Sequence, residues 1–236
     1  MRHADASEDV ELALWRAVEA QHVVSTLPLV DTRAEQRLLE DLIESGKPAL
    51  PAETAGLHYL LVTPFRYRSP WGSRFREPHE PGVLYGAESQ RTACAELGYW
   101  RWRFLRDSPA LPRLDPAPQT VFQCVVRGRA LDCRLPPLDA RRAEWTHPSD
   151  YAACQALGRS ARAAGVAVIR YESVRDPEHG PCGAVLTPSA IAHPNPVAQE
   201  TWSLDVSRER VRWWRAELPH LGGEVDSAWD FRFPEP

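Results

Sequence analysis

The sequence predicts an α+β fold, a mixed and mostly antiparallel sheet with flanking helices and an N-terminal helical extension. Three observations carry that prediction. Short runs of β-branched and apolar residues outnumber the helical segments. The runs are unevenly spaced and separated by Gly- and Pro-rich stretches, instead of alternating regularly with helices. Three of the four helical segments open on a capping residue, and two of them close on glycine. With 236 residues, 43% of them hydrophobic and 25% charged, the chain is long enough for one well-cored domain with extensions.

Taken in order, residues 8–25 (EDVELALWRAVEAQHVVS) are expected to be helical, because Val10, Leu14 and Val18 recur on one face. A second helix opens with a capping box from Thr32 to Glu35, carries Leu38, Leu39, Leu42 and Ile43, and stops at Gly46-Lys47-Pro48. These two helices make up an extension over residues 1–56. The main domain, 57–215, starts with LHYLLV (57–62), read as a strand, and continues with a second strand at GVLYGA (82–87). Ser89 caps a helix running to about Leu105. The four prolines of 106–119 mark a loop, and VFQCVV (121–126) with ALDC (130–133) reads as a hairpin around Gly128. Ser149 is expected to cap a helix that ends at Gly165. VAVIRY (166–171), AVL (184–186), TWSLDV (201–206) and RVRWWR (210–215) complete the strands, and 216–236 reads as an irregular tail.

Composition narrows the classes of function. The formal net charge is −4 and the isoelectric point about 6.1, which argues against a general polyanion binder. No apolar run approaches the length that spans a bilayer, and the first residues lack a signal-peptide layout, so a cytoplasmic protein is expected. The five cysteines are scattered and lack a CxxC pair, which suits reduced thiols. The eight histidines form no HExxH, so no metal is expected. Neither a Walker A loop nor a GxGxxG is present, so neither nucleotide-binding motif is supported.

Against that background one stretch stands out. From Arg66 to Arg106 eight arginines face four glutamates, and the segment also holds three tyrosines and three tryptophans. A local basic and aromatic patch in a mildly acidic protein suits one anionic, planar ligand. Within it Glu96 lies on an otherwise apolar helix face, where a carboxylate needs a partner or a task. Tyr85 lies mid-strand, where a core tyrosine bonded to backbone is an equally good reading. Arg66 and Arg68 flank Tyr67, and Arg74 and Arg76 flank Phe75; guanidinium forks suit phosphate, although lysine is almost absent and a solvated arginine is the default. Ser173 follows a buried strand and lacks the setting of a hydrolase nucleophile, which leaves a hydrogen-bonding role to a ligand.

The order of these signals, GSRF, GVLYGAES, TACAE and IRYESVR, resembles the RES-domain family, the toxin halves of bacterial toxin–antitoxin pairs. The resemblance covers about Leu57 to Leu186. It places the family's arginine on Arg74, its tyrosine on Tyr85, its glutamate on Glu96 and its serine on Ser173, with an upstream arginine on Arg66 or Arg68. The even spacing of 74, 85 and 96 makes it specific. One departure is Arg76, which stands where the family often has Asn or His.

The resemblance implies a fold similar to ADP-ribosylating toxins and NAD as the substrate, cleaved at its nicotinamide–ribose bond without a metal. Glu96 would hold the ribose and stabilise developing positive charge, Arg74 with Arg66 and Arg68 the pyrophosphate, Tyr85 the nicotinamide and Ser173 the ribose or amide. Water, phosphate or a side chain of a target protein remains open as the acceptor. The implied partner is a DNA-binding antitoxin of the Xre type that blocks the active site, and no direct DNA binding by the chain itself is expected. The competing reading is a nucleic-acid-binding module using residues 66–106.

Overall fold

The computed structural model describes residues 6–20, 29–215 and 229–234. Its strands are β1 (Glu8–Glu19), β2 (Leu84–Ala87), β3 (Leu114–Asp132), β4 (Val168–Glu172), β5 (Pro181–Val185), β6 (Ala198–Val206), β7 (Val211–Arg215) and β8 (Trp229–Phe231). Its helices are α1 (Arg33–Ser45), α2 (Tyr59–Arg66), α3 (Gln90–Arg106), α4 (Arg142–Trp145) and α5 (Ala152–Ala163).

The strands form one sheet in the order β1-β2-β5-β4-β3-β6-β7-β8. β3 is its spine. One edge of β3 pairs antiparallel with the whole of β1, from Glu8 opposite Ala130 to Glu19 opposite Gln119. The other edge pairs antiparallel with β6 in its first half and parallel with β4 at Ala130–Asp132. β1 also meets β2 at Trp15 opposite Ala87. The strands β3, β4, β5, β2 and β1 therefore close on themselves, and β6, β7 and β8 run off as a wing. Closure removes two free edges that would otherwise invite foreign strands.

Helices cover this sheet through three apolar clusters. Leu61 and Phe65 of α2 pack with Leu14, Phe122, Val126 and Val185. Cys94, Ala95, Trp102 and Leu105 of α3 pack on Leu204, Val211 and Trp213 of the wing. The approach is close at Gly98, where a Cβ would come within 2.8 Å of Val211 Cγ1. Leu157 and Ala161 of α5 join Phe75, Trp145, Ile169 and Leu186. The five cysteines are buried and unbonded. Among the described residues, no helix is long and apolar enough to cross a membrane.

The α+β class and the mostly antiparallel sheet are as the sequence predicts, while several elements differ. Residues 8–19 are a strand of the central sheet and not a helix of an extension. Val10, Leu14 and Val18 are spaced by four, which satisfies a helix and, as a multiple of two, a strand equally well. Leu12 supplies the missing alternation, and the long partner β3 decides. The remainder of that expected helix, 21–25, lies outside the described residues. Residues 59–66 are helical, with the His58 side chain accepting from Leu60 N–H at the start. A four-residue apolar run is too short to separate the two periods.

The hairpin expected around Gly128 does not form. Gly128 has φ +143° inside a continuous 19-residue β3, which also takes in 114–119 of the expected loop. β1 holds that strand straight, and it comes from far away in the sequence. α5 starts after Tyr151, with Asp150 and not Ser149 accepting from the Ala152 N–H. Its end is as expected. Gly165 has φ +70°, with the Gly165 and Val166 N–H groups returning to Arg162 and Ala161 carbonyls. The capping box at Thr32 and the Ser89 cap are both present. Within the tail, Trp229–Phe231 form a strand on β7.

Candidate active site

A cavity of about 350 Å³ opens where α3 crosses the ends of β1, β2, β4 and β5. Its walls include Trp15 and Arg16 from β1, Arg74, Tyr85, Glu96 and Trp100, Tyr151, Tyr171, Arg175 and Cys182. Glu96 is the single carboxylate among the lining residues, set against three guanidinium groups. The wall therefore carries an excess of two positive charges, with aromatic rings between them.

Glu96 projects from the second turn of α3. Ser173, fully buried in the loop after β4, donates its hydroxyl to Glu96 Oε1 at 2.5 Å. That hydroxyl is itself fixed, because it accepts the N–H groups of Arg175 (3.2 Å) and Asp176 (2.9 Å). Burial pushes the Glu96 carboxyl above its ordinary value, while the Ser173 hydrogen bond and the charges of Arg175 and Arg74 pull the other way. The remaining shift is upward.

Arg74 is held by a tight turn in which Ser73 and Arg76 exchange backbone hydrogen bonds. The Tyr85 hydroxyl ties that turn to β2, bonding Ser73 Oγ at 2.8 Å and accepting from Phe75 N–H at 3.0 Å. Burial pushes the Tyr85 phenol upward. Arg74 donates to the carbonyls of Trp145 and His147, and its guanidinium lies 4.6 Å over the Tyr151 ring. Arg76 is buried too, but spends its donors on the Ser69 and Trp71 carbonyls. Arg175 donates to the Pro148 carbonyl and to the Tyr151 hydroxyl, and Arg16 to the Tyr85 carbonyl. The Arg16 Nε is buried without a hydrogen-bond partner. Burial disfavours the charge of Arg16 and lowers its pKa.

Of the sequence candidates, Arg74, Tyr85 and Glu96 line this cavity. Ser173 is fully buried behind Glu96 and spends its hydroxyl on that carboxylate and on backbone N–H groups, not on a ligand in the cavity. Arg66 and Arg68 lie elsewhere, lining a second groove between α2 and the C-terminal end of α5. There Arg66 pairs with Glu44 of α1 at 2.9 Å and donates to the Pro48 carbonyl. Two cavity arginines escaped the sequence reading. Arg16 belongs to a segment whose apolar spacing predicts a helical extension. Arg175 lies two residues beyond Ser173 in SVRD, where the sequence singles out only the serine. Among the described residues, no group of three His, Cys, Asp or Glu side chains is placed to hold a metal ion.

Comparison with solved structures finds a similar fold in the crystal structure of the M. tuberculosis MbcT–MbcA toxin–antitoxin complex. The match has a TM-score of 0.50 at 17% identity and covers 87% of this chain and 91% of that one. Comparison with curated protein sequences finds no match. The model of the RES domain matches residues 49–207, well over half of the sequence and inclusive of Arg74, Tyr85, Glu96 and Ser173. The chain belongs to the RES-domain family.

Proposed function

We propose that this protein is the toxin of a bacterial type II toxin–antitoxin pair and that it cleaves the nicotinamide–ribose bond of NAD. The observation that carries the reading is the cavity itself, in which one oriented carboxylate, Glu96 on Ser173, faces three arginines and several aromatic rings. In the reaction the C1–N bond of the ribose breaks, and the bonding pair leaves with nicotinamide, which turns from a pyridinium into a neutral ring. The ribose gains oxocarbenium character in the transition state, as in glycoside hydrolysis. Glu96 holds a ribose hydroxyl and stabilises that charge, at a site whose dipoles are already in place. Arg74, Arg175 and Arg16 match the two negative charges of a pyrophosphate. Tyr85 and Trp100 are the lining rings we assign to nicotinamide, and Ser173 orients Glu96. An acceptor then attacks C1 and gives up a proton. Water makes the protein a glycohydrolase, phosphate a phosphorylase and a protein side chain an ADP-ribosyltransferase.

The family and the fold shared with a toxin of a toxin–antitoxin complex support an antitoxin partner, which we place in the cytoplasm, as a DNA-binding protein of the Xre type that covers the cavity. Trp100 stands at the mouth, 51% exposed, where an interface anchor is useful. Trp100→Ala is expected to weaken co-purification with the antitoxin, and Arg66→Ala, in the second groove, to leave it unchanged. Equal retention of both variants would remove the cavity mouth from the interface.

The nucleic-acid reading finds less support. Of the eight arginines from 66 to 106, Arg66, Arg91, Arg101 and Arg103 are bound to carboxylates, and Arg74 and Arg76 to carbonyls. The test of the reaction is incubation of antitoxin-free protein with NAD, with and without phosphate and with cell lysate, followed by product NMR. Free ADP-ribose, its 1-phosphate or a modified protein would name the acceptor. Intact NAD under every condition would refute the reading.

A further inference from the structure

The loop that follows β4 grips α3 over three successive turns. Ser173 donates to Glu96 itself. Asp176, 1% exposed, reaches one turn toward the helix start, accepting from the Thr92 hydroxyl at 2.8 Å and from Arg91 at 2.5 Å. Arg175 reaches one turn the other way. Its guanidinium lies 4.2 Å over the Tyr99 ring and 5.3 Å over the Trp100 ring. Tyr99 and Trp100 are the residues at i+3 and i+4 from Glu96, its immediate neighbours on that helix face. A cation stacked there shares the helix face of the carboxylate. Arg175 is only 9% exposed, and its hydrogen bonds go to the neutral oxygens of Pro148 and Tyr151, which leave its charge available to Glu96.

From this geometry we propose that Arg175 is a positioning residue that holds Glu96 in its charged, Ser173-bound form. The relevance to turnover rests on the NAD-cleaving reading, whereas the effect on Glu96 does not. Titratable and charged groups face Glu96 from several elements, and Arg16 of β1, Tyr85 of β2 and Tyr151 line the same cavity. Arg74 comes from the turn before β2, Arg175 and Asp176 from the loop after β4, Tyr171 from β4 and Cys182 from β5. Asp176 opposes the charge but is engaged by Arg91 and Thr92. The Tyr171 phenol and the Cys182 thiol are held neutral by burial. The charge of Glu96 is thus supported by Arg175 and Arg74, and Arg16 lines the same cavity. Cation–π contact with two rings keeps Arg175 in place without a competing carboxylate.

The experiment is a carboxyl-carbon NMR titration of Glu96 in protein labelled at glutamate, with the signal assigned by its loss in Glu96→Gln. It is read for the native protein, Arg175→Gln and Arg175→Lys in the absence of substrate. In Arg175→Gln the midpoint is expected to move to higher pH, and the acid limb of kcat to move with it. Arg175→Lys keeps the charge and is expected to restore most of the native midpoint, which a purely structural role would not do. Tyr151→Phe, which removes one acceptor and leaves Arg175 present, is expected to give a smaller shift in the same direction and serves if Arg175→Gln does not fold. An unmoved midpoint in the variants that fold would overturn the proposal, as would a shift in Arg175→Lys as large as that in Arg175→Gln. Absence of NAD cleavage would instead leave the titration result standing and sink the reading of the substrate.

Discussion

On the NAD-cleaving reading Glu96 acts as an anion, in surroundings that make the anion costly. Burial raises its pKa, and Ser173, Arg175 and Arg74 recover only part of the difference. Activity is therefore expected to fall on the acid side at a pH above the ordinary carboxylate value of 4.5. Ser173→Ala removes a hydrogen bond to the charged form, so the acid limb of the pH–rate profile is expected to move further up in pH. A limb that stays in place would show that Ser173 does not act through Glu96. The same shift sets the sign for stability. A carboxyl whose folded pKa is raised stabilises the folded state below its unfolded pKa and loses that contribution as pH rises through the folded value. At neutral pH, Glu96→Gln is thus expected to melt at or above the native temperature while kcat drops by about 10²–10³-fold. Scanning calorimetry and turnover on one preparation check both halves.

Among the elements, the proposed reaction requires the loop from Ser173 to Gly180 to stay locked on α3. Asp176 is the staple. Burial pushes its carboxyl upward, but hydrogen bonds from Thr92, the Glu178 N–H and Arg91 outweigh burial and hold it below its ordinary range. Its stabilisation is present above the unfolded carboxylate pKa and is lost only as pH falls through the lower folded value, so neutral and mildly acidic solutions keep it. Asp176→Asn is expected to cost about 1–3 kcal/mol in denaturant unfolding. Gly180 closes the loop where a Cβ would lie 2.1 Å from Thr92 Oγ1 and 2.9 Å from Asp176 Oδ2. Gly180→Ala must displace one of the two, and a loss of turnover larger than the loss of stability is expected. Native turnover in that variant would mean that the loop tolerates the displacement and does not position Glu96 through Asp176.

At the scale of the whole molecule, the strand β1 is part of both the sheet and the site. It pairs with β3 over its full length and brings Trp15 and Arg16 to the cavity, although the family match begins only at residue 49. Deletion of residues 1–20 is expected to abolish cooperative unfolding measured by circular dichroism, where a dispensable extension would leave the melting curve intact. The class of the fold, the α3 helix and the cluster of Arg74, Tyr85, Glu96 and Ser173 were legible in the sequence, because caps and motif words are local. Arg16 was not, since only a partner strand more than a hundred residues away makes its segment extended. Arg175 was overlooked for a different reason. Its value comes from two rings on another element, which no local word reveals. Arg66 and Arg68 show the converse, because alternation around an aromatic can place arginines on a face but cannot say which groove that face meets.

On the proposed reading Glu96 drives loss of nicotinamide from NAD. The most direct test is the release of free nicotinamide, followed by chromatography, from NAD incubated with antitoxin-free native protein and with Glu96→Gln that folds to the same spectrum. Release by the native protein and loss of it in the variant is the expected result. Equal release from both, or none from either, would contradict the claim.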